Sequence, residues 1–404
     1  MSDPQPDLVV VGAGIVGAAV AWRAAREQLR VVLLDPAPGD GATRAAAGML
    51  APVAESWFGE EPAARLGVAG AARWPAFARD LADATGLDVG LRAVGTLVTA
   101  YDGDDLGELR RTVALHRTWG LDSTELTHAD ARRLEPLLGP RVRGAVHAPS
   151  DHVADPRAAH DALLAALGAA PRATVVRQRA RRLRTDATGA VVGVEDAAGT
   201  THRAPAVVVA TGWQAGDLLD GLPVSVPVRP VRGQTLRLDA GPGAAPRQVV
   251  RGLVQGRPVY VVPRDAGTGT GPGTTPEHRE VVVGATSEEG PDDRRATAGG
   301  VFALLRDARA LLPGLDEAAL VEATPRARPG TPDNLPLIGP TGVPGLHLAT
   351  GHYRNGVLLA PLTADAVVAG LLGRDPDVPA LAAADAGRFT TGNLTTAPNR
   401  GAHR

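Results

Sequence analysis

Near both ends of the chain hydrophobic residues fall in short unbroken runs; in the middle they alternate with polar ones. Asp7–Val11 (DLVVV) is an apolar, β-branched run that ends in glycines, the pattern of a strand buried on both faces of a parallel sheet. Helical periodicity follows from Ile15 to about Gln28, and a second buried strand, Arg30–Leu34 (RVVLL), closes at Asp35. Strand, glycine turn, helix, strand and acid in that order make a βαβ unit. Further on, Asp155 is placed to cap a helix with Pro156 at its first position and Gly168 past its end. Residues 206–210 (AVVVA) read as another short buried strand. From about 223 to 290 the pattern turns β-rich, with Tyr260–Arg264 and Glu280–Gly284 as paired strands and the Gly/Thr/Pro-rich stretch 266–276 as a surface loop between them. Thr297 is expected to cap a helix reaching Leu312, stopped by Pro313. Residues 346–350 (LHLAT) form a last strand, Gly351 breaks it, and a helix is expected from about Leu358 to Leu372. The first six residues read as a disordered leader, and the Ala-, Gly- and Thr-rich final 25 as a fraying end.

This order predicts an α/β chain. A Rossmann-like nucleotide-binding domain would be built from discontinuous segments (1–88, 145–222 and 329–395). An α+β domain with a mainly antiparallel sheet would take 89–144 and 223–328, leaving 396–404 as a frayed tail.

Composition narrows the chemistry. There is no Cys, which removes disulfides, thiolate nucleophiles, Fe–S clusters and cysteine-linked cofactors. There is no Lys either, so all 42 basic residues are Arg, and Schiff-base or P-loop lysine chemistry is excluded. A net charge of −2 gives no electrostatic case for nucleic acid or an anionic membrane. The ten His show no metal-ligand spacing, so no metal is expected. No apolar window is long enough to span a bilayer and the start lacks a basic region, which points to the cytoplasm. The basic run Arg177, Arg179, Arg181, Arg182 and Arg184 reads as one solvated strand face.

Gly12-Ala13-Gly14-Ile15-Val16-Gly17 fits G-x-G-x-x-G. Gly12 permits the tight turn, Gly14 lets backbone approach a pyrophosphate, and Gly17 lets helix and strand pack closely. Asp35 lies 18 residues beyond Gly17 and can accept hydrogen bonds from a ribose diol. An acid there argues against a 2′-phosphate but does not separate NAD from FAD. Ala45–Pro52 is a run of small residues, which suits either an Ala-rich helix start or the close approach of a planar group. Gly351–Pro361 joins strand, glycines and helix onset, and Arg328–Gly339 is dense in Pro and Gly.

Seven segments together carry a resemblance: the N-terminal turn, the AAAGML run, Val231–Gln234, Tyr260–Arg264, Val282–Thr286, RPGTPDNLPLIGP (328–340) and ATGHYRNGVLLAP (349–361). They resemble the glycine oxidases, thiamine-pathway flavoenzymes of the D-amino-acid oxidase group, over about residues 7–373. The resemblance implies non-covalent FAD. It implies oxidation of glycine, sarcosine and small D-amino acids by hydride transfer from Cα to flavin N5. O₂ would be reduced to H₂O₂, and the imine would serve thiazole synthesis or hydrolyse to glyoxylate and ammonia. By motif match Arg328 would hold the substrate carboxylate, Tyr260 would donate to it, and Arg354 would sit where cofactor and substrate meet. FAD would be lined by Gly12, Gly14, Ile15, Val16, Gly17, Asp35, Pro36, Ala42, Thr43, Ala47, Gly48 and Met49. Backbone near Ala180 and the run His352, Tyr353, Arg354, Asn355, Gly356, Val357 and Leu358 would complete the lining. A homotetramer and a link to thiazole synthase are also implied. No catalytic base is assigned, because the amine proton can leave to solvent.

Three departures stand out. Thr324-Pro325-Arg326-Ala327 replaces the usual segment before the carboxylate-binding Arg, which makes Arg326 a rival to Arg328. His152 stands where Gly is usual, and Trp213 comes one residue early. The sequence leaves two alternatives open: a D-amino-acid or sarcosine dehydrogenase using another acceptor, and a non-catalytic flavin-binding partner of the thiazole machinery. Absent Cys and Lys weigh against the sarcosine oxidases, which share a cysteinyl-flavin link and an oxygen-activating Lys.

Overall fold

A computed structural model describes residues 5–241, 243–264 and 279–390. The expected loop at 266–276 and tail at 396–404 lie outside the described residues. Two large sheets organise the chain. The first has six strands in the order Leu337–Pro340, Leu346–Thr350, Ala206–Val209, Leu8–Val11, Val31–Leu34, Ala173–Val176. All its neighbours are parallel except the first pair, which is antiparallel. Leu8–Val11 is central and buried along its whole length, which is why it reads as an uninterrupted apolar run rather than an alternating one. The helix Ile15–Arg26 packs on it through a face of Gly and Ala, against the helices Gly356–Leu371 and Pro156–Ala169. Small side chains let these helices approach closely, and Trp22, Trp74 and Phe77 fill the outer layer edge-to-face at 5.4 Å.

The second sheet has nine strands. Thr96–Ala100, Thr124–Thr127 and Gly144–Ala148 join six strands drawn from Arg229–Gly330. Its pairs are antiparallel except Val249–Val254 with Thr96–Ala100. A small three-stranded sheet, Ala180–Thr185, Val191–Asp196 and Thr201–Arg203, lies beside the first. Among the described residues no helix is long and apolar enough to cross a membrane.

The local signals mostly act as chemistry requires. Asp155 accepts from the amides of Arg157 (2.8 Å) and Ala158 (3.2 Å), and Thr297 from that of Gly300 (3.2 Å). Tyr260–Pro263 pairs antiparallel with Val281–Gly284.

Several expectations need correction. Gly168 lies inside its helix, which runs to Ala169. The last helix begins at Gly356, two residues early. Ala45 ends a short helix, Ala42–Ala45, rather than starting one. The boundary set at 145 cuts a strand, because Gly144–Ala148 pairs with Thr96–Ala100 in the nine-stranded sheet. The end of the chain does not fray as early as residue 380: Ala384 and Ala386 are buried, and Arg388 pairs with Asp333 at 2.8 Å. The basic run is exposed as expected, but only Arg181, Arg182 and Arg184 lie in the strand Ala180–Thr185, and these three surround Glu195 at 3.7, 2.7 and 3.3 Å.

Candidate cofactor and substrate site

A cavity of about 640 Å³ opens between the two large sheets, at the carboxyl ends of the parallel strands. Gly12, Asp35, Ala210 and Thr350 each follow or end a parallel strand, and all four line it. This is where an open α/β sheet binds ligands, because the chain reverses direction there and leaves a crevice.

Backbone geometry shapes the crevice floor. Gly12 has φ +99°, and a Cβ there would lie 2.5 Å from the Ala210 carbonyl oxygen. A Cβ at Gly17 would lie 1.9 Å from the oxygen of Gly12, so only Gly closes the turn onto the helix. Thr43 Oγ1 accepts from the Ile15 amide at 3.0 Å, which ties the next loop to the positive end of the helix. The Asp35 carboxylate accepts from the amides of Ala13 (2.7 Å) and Ala37 (2.8 Å) while lining the cavity, and each oxygen keeps further acceptor capacity.

One wall is the Ala47-Gly48-Met49 run, held by Arg264. This buried guanidinium donates to the carbonyls of Ala154 (2.9 Å) and Ala47. Gly48 has φ +73°, and a Cβ there would meet the Ala154 oxygen at 1.9 Å. Burial lowers the Arg264 pKa to about 10, so the clamp stays charged near neutrality. On the opposite side His352 is buried and bonds Thr363 Oγ1 at 2.8 Å through Nε2. Burial drops its pKa to about 3, so the ring is neutral and a poor base.

At the inner end stand Tyr260, Arg328, Arg354 and Glu55. Two glycines make room for them. A Cβ at Gly233 would lie 2.0 Å from Arg328 Nη1, and one at Gly284 would lie 2.2 Å from Tyr260 Oη. Arg328 donates to the Thr286 carbonyl at 3.1 Å and to Tyr260, and among the described residues it has no carboxylate partner. Burial raises the Tyr260 pKa, opposed by the Arg328 charge, so the phenol stays protonated and able to donate. Arg326 is different: it is spoken for by Asp40, at 2.7 Å to Oδ1 and 2.7 Å to the carbonyl oxygen. Arg354 stacks over Tyr353 at 5.2 Å and lies 3.8 Å from Glu60. Glu55 is paired with Arg251.

Most of the sequence-named residues meet here. Gly12, Gly14, Ile15, Val16, Asp35, Pro36, Ala42, Thr43, Ala47, Gly48, Met49, Ala180, His352, Tyr353, Arg354, Gly356 and Val357 all line the cavity. Three do not. Gly17 packs beneath the turn. Leu358 turns away, its carbonyl accepting from Trp74 Nε1 at 3.1 Å, and with Asn355 it lines a separate small cleft. Sequence reading missed Thr211–Gln214 and Asp217, which follow the strand Ala206–Val209, and also Asp40, Arg294 and Glu55. The rule that parallel strands end at the crevice could have found the first group; the others come from loops without a motif.

The family profile described as FAD dependent oxidoreductase matches residues 7–369. The chain belongs to this FAD-dependent oxidoreductase family. The glycine oxidase of Geobacillus kaustophilus is 33% identical over 362 residues, 88% of this chain and 90% of that protein. The crystal structure of glycine oxidase from the same organism superposes with a TM-score of 0.85 at 31% identity, covering 96% of this chain and 99% of that one. A bifunctional ThiO/ThiG protein of Trichormus variabilis is 32% identical over 394 residues, 96% of this chain but 56% of its own length. The cavity fits the family's cofactor: it is lined by Gly12 and Gly48, where a Cβ would clash with neighbouring backbone, and it includes the N-terminus of the helix Ile15–Arg26, suited to a pyrophosphate. The protein is therefore an FAD-dependent amino-acid oxidase.

Proposed function

We propose that this flavoenzyme oxidises glycine and other small amino acids at the inner end of the cavity, with Arg328 as the carboxylate anchor. The observation that carries this reading is a guanidinium without a carboxylate partner among the described residues, in a cavity wall, next to a protonated phenol. A guanidinium takes a carboxylate through two parallel N–H donors and so fixes the plane of the substrate. Tyr260 Oη adds a third donor, and Arg354 flanks the same end. FAD, when bound, accepts the two electrons released as the Cα–N bond becomes an imine and passes them to O₂, giving H₂O₂.

The protein's work is orientation. Arg328 and Tyr260 hold the carboxylate, the Ala47–Met49 wall and His352 border the cofactor, and the Gly12–Gly17 turn with Asp35 receives the pyrophosphate and ribose. The neutral His352 is too weak a base to take the amine proton, which leaves to water through the open cavity. Supply of the imine to a thiazole synthase belongs to the same reading, supported by the fusion of the two activities named in the Trichormus variabilis relative. A homotetramer and a cytoplasmic setting belong to it as well. The division into a nucleotide unit on the six-stranded sheet and a substrate unit on the nine-stranded sheet is likewise part of it.

Anaerobic addition of glycine to the yellow protein tests the reading directly: the flavin absorbance should bleach, and air should restore it with release of peroxide. Arg328→Ala should raise the KM for glycine at least tenfold, because loss of a bidentate charged pair costs about 1.5–3 kcal/mol. An unchanged KM would remove Arg328 from the anchor.

A further inference from the structure

The Thr324–Ala327 departure brings an extra cation to the cavity, and that cation is not free. Arg326 Nη2 meets Asp40 Oδ1 at 2.7 Å and Nε meets the Asp40 carbonyl oxygen at 2.7 Å. Arg294 Nη1 reaches the other carboxylate oxygen of Asp40 at 2.6 Å, and Arg294 lies 3.7 Å from Asp292. All four residues line the cavity. They come from opposite walls. Asp40 follows the second strand of the six-stranded sheet, in a loop whose Gly39 amide is pinned to the Ala13 carbonyl at 3.0 Å. Arg326 lies on the strand Ala319–Gly330 of the nine-stranded sheet, and Arg294 on the loop after Glu288–Glu289.

We infer that Asp40, Arg326 and Arg294 form an ionic tie across the cofactor groove that slows the release of FAD. The tie spans the groove between the two sheets, so a dinucleotide that leaves past it requires one wall to withdraw. Withdrawal of the 36–43 loop here must break two guanidinium–carboxylate contacts. Burial works against the charge on Asp40, but the hydrogen bonds from Arg326 and Arg294 outweigh it and hold the carboxyl below its usual range. The tie is also open to salt: the side chain of Asp40 is 40% exposed and that of Arg294 50%, against 13% for Arg326. Partly exposed pairs weaken as ions screen them. The inference rests on FAD occupying the cavity and concerns only its escape.

The test uses the FAD-loaded protein, diluted into buffer while the fluorescence of released FAD is followed, at low salt and at about 1 M NaCl, where the screening length is ~3 Å. Asp40→Asn and Arg326→Met should each release FAD about fivefold or more faster than wild type at low salt, with a smaller further acceleration by salt than wild type shows. The double variant should be no faster than Asp40→Asn alone, since that change already removes the carboxylate that both guanidinium groups share. Arg326→Lys should recover part of the retention. Arg294→Gln, at a half-exposed position, should give a smaller acceleration in the same direction. Thermal midpoints of the apoproteins separate a loosened groove from a loosened fold. Wild-type release rates and salt response in both single variants, or effects that multiply in the double variant, would overturn the inference while leaving the proposed function intact. A protein that takes up no FAD would overturn both.

Discussion

Arg326 and Arg328 are two residues apart on one strand, and both look into the same cavity. What separates them is their neighbours. Asp40 satisfies Arg326, whereas Gly233 makes room for the Arg328 guanidinium, which has no carboxylate partner among the described residues. His352 shows the same dependence on surroundings. Its place in the Gly351–Gly356 motif says nothing of its charge, and burial decides it. With a folded pKa of about 3 against an ordinary 6.5, the unfolded chain binds more protons in between. This side chain's contribution is fully present above about pH 6.5 and is lost as pH falls toward 3. In His352→Gln the thermal midpoint should therefore fall less steeply across that window than in wild type. Parallel curves for the two proteins would place the titration elsewhere.

At the scale of elements, the strand–turn–helix unit is tightly constrained. Position 17 admits no side chain, since a Cβ there would lie 1.9 Å from the oxygen of Gly12. Gly17→Ala should force helix and strand apart and lower FAD affinity at least tenfold, read by equilibrium titration of the apoprotein; retention of wild-type affinity would mean that the turn relaxes. The same unit was also the most legible in the sequence, because each of its signals is local: β-branched residues for a buried strand, glycines for the turn, an acid at the next strand's end. The cap residues Asp155 and Thr297 were legible for the same reason. Gly168 misled because a glycine tolerated inside a helix looks like one that ends it. Residues 380–390 misled because Ala- and Gly-rich composition looks unstructured until Arg388 and Asp333 tie it down.

At the scale of the molecule, the two large sheets meet through arginines. Arg157, on a helix under the six-stranded sheet, makes a two-pronged pair with Glu322 of the nine-stranded sheet, at 2.9 and 2.9 Å. Hydrogen bonds from Arg157 hold the Glu322 pKa at about 2, below its ordinary 4.5, so the carboxylate's contribution is complete above about pH 4.5 and is lost as pH falls toward 2. Glu322→Gln should cost about 1–2 kcal/mol at pH 7 by denaturant unfolding, shrinking toward zero as pH approaches 2. A cost that stayed constant with pH would assign it to packing instead. A chain without lysine makes all such ties through guanidinium groups, whose fixed fork favours two-point contacts.

By itself the sequence determined the nucleotide unit, the absence of cysteine and lysine chemistry, and the candidate anchors, because these rest on residue identity and short-range spacing. Only the tertiary structure decided which arginine pairs with a carboxylate and which, among the described residues, does not, which histidine is kept neutral, and which loops line the groove. Those outcomes depend on burial and on partners hundreds of residues away, such as Asp40 beside Arg326, and local spacing carries no record of such contacts.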